Sequence, residues 1–285
     1  MNELLARAAL FSAIEAGHPF WSSEISTQGA LVVYEKLLSG GYDSIKNEKL
    51  ISTLRQINAD QVLTEIDKYQ ARLITPIDDD WPKQVNDLAA PPIGLIMKGN
   101  ITALHQQSLA IVGTRNPTSY GARIAGDFAA GFADREWAIV SGGAYGIDSY
   151  AHKGALIAEG VTVAVIASGI DINYPAGNTR LFAEICESGA MVTEFMPGQR
   201  ALPHRFLTRN RLIASLSKAT LVVEAAFRSG SLRTARDAAE IFRPVMAIPG
   251  PINSPTSEGC HRLIGERAAE IVTSVADAVE FVGAN

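Results

Sequence analysis

A doubly wound α/β domain with a mostly parallel sheet, preceded by a small all-helical N-terminal domain, is the fold this 285-residue sequence predicts. Three observations predict it. From Ser108 onward, short runs that are apolar throughout alternate with segments of helical period, as in a parallel sheet covered on both faces. Glycine-rich and polar turns follow those runs, at the strand ends where such sheets take ligands. Met1 to about Arg72 instead carries helix-spaced apolar residues with few β-branched alternations.

Composition narrows the function classes. Hydrophobic residues make up 47% of the chain and charged residues 19%, which fits a compact core and argues against disorder. Glu3, Arg7 and Glu15 interrupt the apolar pattern of Met1 to Phe20, so no signal peptide is expected there, and Val161 to Ile170 is too short for a membrane span. Cys186 and Cys260 are far apart, and the histidines at 18, 105, 152, 204 and 261 have no metal-ligand spacing. Reduced thiols, no metal, no membrane and a cytoplasmic location are the expectations.

Taken in order, Leu4, Leu5, Ala8, Ala9 and Phe11, then Leu31, Val32, Tyr34, Leu37 and Leu38, place several short helices in residues 1–72, with Gly40 and Gly41 as punctuation. Asp78 to Pro82 and Pro91-Pro92 break the next stretch, and Ile93 to Lys98 reads as a strand within the second domain, 73–285. The alternation then runs through strand Ser108 to Gly113, helix Ser119 to Asp134, strand Trp137 to Ser141, helix Ile147 to Glu159 and strand Val161 to Ala167. It continues with helix Asn178 to Glu187, strand Ala190 to Glu194, helix Arg209 to Leu216, strand Thr220 to Glu224, helix Ser231 to Phe242 and strand Pro244 to Ile248. A short helix after Gly259 and one from about Val275 to Val282 close the chain.

Charge points to one region. The net charge is −5, yet Arg200, Arg205, Arg209, Arg211, Lys218, Arg228, Arg233 and Arg236 lie between Gln199 and Asp237 with Glu224 as their single acid. A located positive patch on an acidic protein suits a phosphate-bearing partner. Phe206 to Ala214 reads as a helix start aimed at an anion, with Phe206 either a base platform or core filling. Gly113-Thr114-Arg115 running to Ser119 forms a candidate phosphate seat, or a tight turn with Ser119 as its cap and Arg115 in a surface ion pair. Ser141-Gly142-Gly143 is a second glycine turn, and Arg228-Ser229-Gly230-Ser231, with Thr234 beyond, is a third anion nest. Glu224 is expected to steady the surrounding arginines. Ser141, Asp148 and His152 could suggest a hydrolase, but no nucleophile elbow is present. The dinucleotide and Walker phosphate loops are absent too.

These motifs together carry a resemblance. Ile111 to Arg115, Ser141 to Asp148 with Ala151 to Leu156, Tyr174 to Asn178, Phe206 to Ala214, Val223 to Ala225, Ser229 to Leu232 with Thr234-Ala235, Val245 to Gly250 and Leu263-Ile264 closely resemble the DNA-processing protein A family, DprA/Smf, over roughly residues 75 to 268. The resemblance implies an extended Rossmann-like domain behind a SAM-like helical module. It also implies single-stranded DNA binding, a homodimer, loading of the recombinase RecA during natural transformation, and no catalysis or cofactor. By position it gives Gly113 and Arg115 to phosphate, and Phe206, Arg209, Asn210 and Arg211 to the strand, with the Ser229 to Thr234 turn lining the same pocket. Gly142, Gly143, Arg205 and Arg228 join the candidate surface. Leu207 departs from the proline usual after the aromatic, Trp81 from the tyrosine that commonly precedes Pro82, and Glu266-Arg267-Ala268 from the usual Gly-Ala. No winged helix is expected within these residues. The rival class is a Rossmann-type, phosphoribohydrolase-like enzyme, whose Pro-Gly-Gly-x-Gly-Thr loop is replaced here by Ser141-Gly142-Gly143-Ala144.

Overall fold

The computed structural model describes residues 1–284. Five helices open the chain: α1 (Glu3–Ala13), α2 (Pro19–Gln28), α3 (Ala30–Ser39), α4 (Glu48–Gln56) and α5 (Ala59–Asp67). Their starts follow capping chemistry. Asn2 accepts from the Leu5 amide, Asn58 accepts from Asp60 and Gln61, and Glu3 reaches across to accept from the Ala30 and Leu31 amides at the start of α3.

A single nine-stranded sheet follows, built from β1 (Arg72–Ile74), β2 (Leu95–Gly99), β3 (Ser108–Val112), β4 (Ala138–Ser141), β5 (Thr162–Val165), β6 (Ala190–Thr193), β7 (Ala219–Val222), β8 (Val245–Ala247) and β9 (Glu270–Ile271). Its order is β1-β2-β6-β5-β4-β3-β7-β8-β9. The pairs from β6 through β9 are parallel, whereas β2 is antiparallel to both β1 and β6. The mostly parallel sheet expected from the apolar runs is thus present. Two edge strands escaped notice in the sequence: β1, where helical pattern was expected to run to Arg72, and β9, whose two residues are both exposed. Edge strands this short carry too few residues for a period-2 signal.

Between the strands lie α6 (Ser119–Ala133), α7 (Ile147–Ile157), α8 (Thr179–Ser188), α9 (Pro203–Leu216), α10 (Ser231–Glu240), α11 (Glu258–Gly265) and α12 (Val275–Ala284). Each of β3, β4, β5, β6 and β7 is buried along its whole length because helices cover both faces. On one face Ala125, Phe128, Ala129 and Phe132 of α6 form a stripe at helical spacing over Leu109, Ile111 and Ile139. On the other, Leu212, Ile213 and Leu216 of α9 with Leu232 and Ala235 of α10 cover Val112, Val140 and Val222.

A third core joins the two halves of the chain. Leu10, Ile25, Val33, Leu54 and Ile66 of the helical module pack in one cluster with Ile96, Ile166, Leu181 and Phe182. Ion pairing and hydrogen bonding add to it. Arg7 donates to the Ile93 carbonyl at 2.9 Å, and Arg205 on α9 pairs with Glu15 at 2.8 Å. Among the described residues no helix is long and apolar enough to cross a membrane.

Candidate functional site

β3 and β7 run side by side where the strand order reverses, β3 leading to β4 on one side and β7 to β8 on the other. Their outgoing loops part there, which is where open α/β sheets bind ligands. A cavity of about 520 Å³ opens at this point. Gly113, Thr114 and Arg115 line it after β3, Ser229, Gly230 and Ser231 after β7, and Phe206, Arg209, Asn210 and Ile213 from α9. Thr234, Asp148 and Tyr174 complete the wall.

The helix that crosses the cavity begins earlier than the expected Arg209. Pro203 occupies its first turn, where a missing N–H costs nothing, so a residue that read as a breaker in an extended loop is a helix starter. Phe206, Arg209, Asn210 and Ile213 then stand at i, i+3, i+4 and i+7 on one face. Arg209 therefore reaches the cavity from the second turn, while Pro203 lines it from the first.

Arg209 is 4% exposed, and its Nε and Nη1 have no hydrogen-bond partner among the described residues. Burial lowers its pKa to about 10; the Asp148 carboxylate opposes that shift and Arg115 adds to it. Asp148 is in turn held by the amides of Gly142 at 3.2 Å and Ala144 at 3.3 Å, while burial pushes its carboxyl up against the pull of Arg209. A cationic donor group is thus fixed in a nearly dry wall with unfilled hydrogen-bonding capacity, the arrangement that an incoming anion satisfies.

Beside it stands an aromatic cluster. Phe206 is half-buried, with the Tyr174 ring centroid 5.5 Å away, the Arg115 Cζ 5.0 Å above its ring and the Arg209 Cζ at 6.0 Å. These cation–π contacts orient the arginines while leaving Tyr174 47% exposed. On the opposite wall Asn210 donates to the Gly230 carbonyl at 3.1 Å, tying α9 to the turn that starts α10. Ser229 Oγ and Ser231 Oγ lie 2.7 Å apart, and Ser229 Oγ also accepts weakly from the Ser231 amide. No carboxylate of the described residues bonds to this helix start; its first amides donate within the turn, Leu232 to the Ser229 carbonyl at 3.2 Å and Arg233 to the Gly230 carbonyl at 3.1 Å.

The remaining candidates stand elsewhere. Ser119 is the first residue of α6, and the cap is Thr118, whose Oγ1 accepts from the Gly121 amide at 3.1 Å. That helix start already holds an anion of the chain itself. Glu224 accepts from the Thr118 amide at 2.9 Å, from Thr118 Oγ1 at 2.7 Å and from Thr256 Oγ1 at 3.2 Å. Glu224 thus serves this cap and not the arginines. Gly142 is small for a different reason than phosphate approach, since a Cβ there would come 1.6 Å from Arg209 Nη1. Gly143, at φ +66°, offers its carbonyl to Asn178 Nδ2 at 3.0 Å.

Arg205 spends its donors on both Glu15 oxygens and on the Arg200 carbonyl. Arg211 Nη2 reaches both oxygens of Glu194 at 2.7 Å. Burial pushes the Glu194 carboxyl up, and Arg211 opposes that. Arg228 lines a neighbouring groove. Among the wall residues that went unremarked in the sequence as site residues are Leu207, and Tyr174, whose Tyr-Pro turn reads as closure of the pocket. An exposed aromatic in such a turn was the available signal.

The catalytic constellations do not assemble. Ser141 Oγ donates to the Ile111 carbonyl at 2.6 Å, and His152 Nδ1 meets Thr162 Oγ1 at 2.7 Å with the ring wholly buried and its pKa lowered to about 3 by desolvation and by Arg209. Among the described residues no group of three or more His, Cys, Asp and Glu side chains could hold a metal ion.

Residues 72–283 match the family model of DNA recombination-mediator protein A. The putative DNA processing protein DprA of Mycobacterium tuberculosis is 47% identical over 225 residues, covering 74% of this chain and 58% of the relative. The Smf protein of Escherichia coli is 44% identical over 209 residues, covering 73% and 56%. This chain therefore spans little more than half the length of those two relatives. Among solved structures, DNA processing protein A of Streptococcus pneumoniae superposes with a TM-score of 0.77 at 37% identity, covering 82% of this chain and 81% of that one. The Helicobacter pylori protein, solved to explain its mode of binding single-stranded DNA, gives 0.69 at 29% identity over 75% and 95%. The chain belongs to the DNA recombination-mediator protein A family.

Proposed function

We propose that this family member binds single-stranded DNA in the cavity between β3 and β7. The observation that carries this reading is the buried guanidinium of Arg209, with two donors unfilled, beside the Phe206 and Tyr174 rings and the Ser229-Gly230-Ser231 turn. A phosphate satisfies the arginine and the helix start, while a base stacks on an aromatic face, a combination that reads strands without reading sequence. Arg115 adds a cation at the mouth. Asp148 and His152 serve the wall in this reading, so the site binds and does not catalyse. Single strands protected here would be handed to a RecA-type recombinase in the cytoplasm, by a homodimer. Residues 1–72 form the helical module and 73–285 the binding domain.

The test is a titration of wild type and Arg115→Ala on single-stranded and duplex DNA at two salt concentrations. If about four to six phosphates are neutralised, log K falls against log salt with a slope of roughly −3 to −4 on single strands, and Arg115→Ala flattens it by about 0.7. Equal affinity for duplex, or affinity indifferent to salt, rejects the reading.

A further inference from the structure

A second groove, of about 380 Å³, adjoins the cavity and shares Leu207, Ser229 and Gly230 with it as a common wall. Its floor carries Phe227, which is 48% exposed and has the Arg262 Cζ 4.9 Å from its ring centre. Arg228, Arg233 and Arg236 border it. Arg233 is paired with Asp237 at 2.6 Å and Arg262 with Glu266 at 2.5 Å. Arg228 and Arg236 have no ion pair among the described residues, and both are exposed.

We propose that this groove is a second single-strand subsite, in which Phe227 stacks a base and Arg228 and Arg236 take the phosphates on either side, so that the bound strand passes over the Ser229-Gly230 sill from one compartment to the next. The proposal rests on the reading of the main cavity as a single-strand site. Two observations favour an extended strand over a solvated basic surface. An apolar ring this large, left half open among cations in a protein of net charge −5, gives up apolar burial that a stacked base would restore. In addition, the sill belongs to both compartments and carries the Ser229 hydroxyl, so a backbone crossing it stays on a polar surface between the two sets of arginines. Arg262, held against one face of Phe227, leaves the other face for the base.

Length dependence tests this. Oligothymidylates of about four and about sixteen nucleotides bracket the site sizes typical of stacking proteins. Phe227→Ala is expected to weaken the long oligomer about tenfold, the cost of one lost stacked base, and to leave the short one unchanged. Arg228→Ala/Arg236→Ala should flatten the salt slope on the long oligomer by about 1.4 and again spare the short one. All three side chains are exposed, and unchanged thermal unfolding confirms that the variants fold. Equal losses on both lengths, or none on either, overturn the second subsite while the main cavity stands. A loss confined to duplex assigns the groove to double helix and overturns the proposal. If wild-type protein binds neither oligomer, the reading of the cavity itself falls, and this one with it.

Discussion

Two helix starts flank the point where the sheet reverses, and they are alike in sequence yet opposite in state. Each follows a parallel strand through a polar turn with serine or threonine near the first helical residue. At α6 the positive end is closed, because Glu224 bonds the Thr118 amide and hydroxyl. At α10 no carboxylate intervenes, and Arg209 stands nearby with unfilled donors. The same division runs along α9, where Arg209 faces the cavity and Arg211, two residues on, is locked to Glu194. A basic side chain or a helix start is a binding group only when the fold has not already supplied its counter-charge.

The largest effect is expected at the Arg211–Glu194 pair. Glu194→Ala strands a buried guanidinium, and denaturant titration should show a loss of about 3–5 kcal/mol. The paired replacement Glu194→Leu/Arg211→Met is expected to recover most of that and to keep single-strand affinity near wild type. Were it to abolish binding, Arg211 would belong with Arg209, and the distinction between them would fail.

Arg209→Ala should behave in the opposite way. A charge-assisted hydrogen bond contributes roughly 1.5–3 kcal/mol, so affinity measured by fluorescence anisotropy is expected to drop about 10- to 150-fold. Stability should change little, since the cost of burying the guanidinium is removed together with its attraction for the Asp148 carboxylate, which keeps its Gly142 and Ala144 amide donors. Unfolding of this variant with binding retained would reverse the assignment.

The smallest effect belongs to the sealed helix start. Thr118→Ala removes the α6 cap and should cost about 1 kcal/mol of stability, with no change in affinity or salt slope. Weakened binding there would show that the start of α6 takes phosphate after all.

Much of the fold was legible because its signals are local. Runs such as Ser108 to Val112 are apolar at every position only when both faces are covered, and the helices between them carry their own stripes. The helix of α9 was legible from Arg209 onward, but Pro203 hid its start and with it the face that Phe206 shares with Arg209, Asn210 and Ile213. Glu224, Tyr174 and Phe227 were not legible as what they are, because each acquires its role from a loop distant in the chain. Thr118 lies 106 residues from Glu224, and Phe206 meets Tyr174 from another strand's turn.

Local pattern along the chain suffices for the parallel sheet, the glycine and serine turns at its carboxyl edge, the concentration of arginine between residues 199 and 237, and through these the family. The tertiary structure alone decided which of those arginines are free. Arg205 is claimed by Glu15, which lies 190 residues away, and Arg211 by Glu194; Nε and Nη1 are unfilled in Arg209 and Arg211 alike, but Arg209 has the Asp148 carboxylate in its field and no ion pair among the described residues. The physical reason is that charge is a property of a residue, whereas its neutralisation depends on what the fold brings within hydrogen-bonding distance.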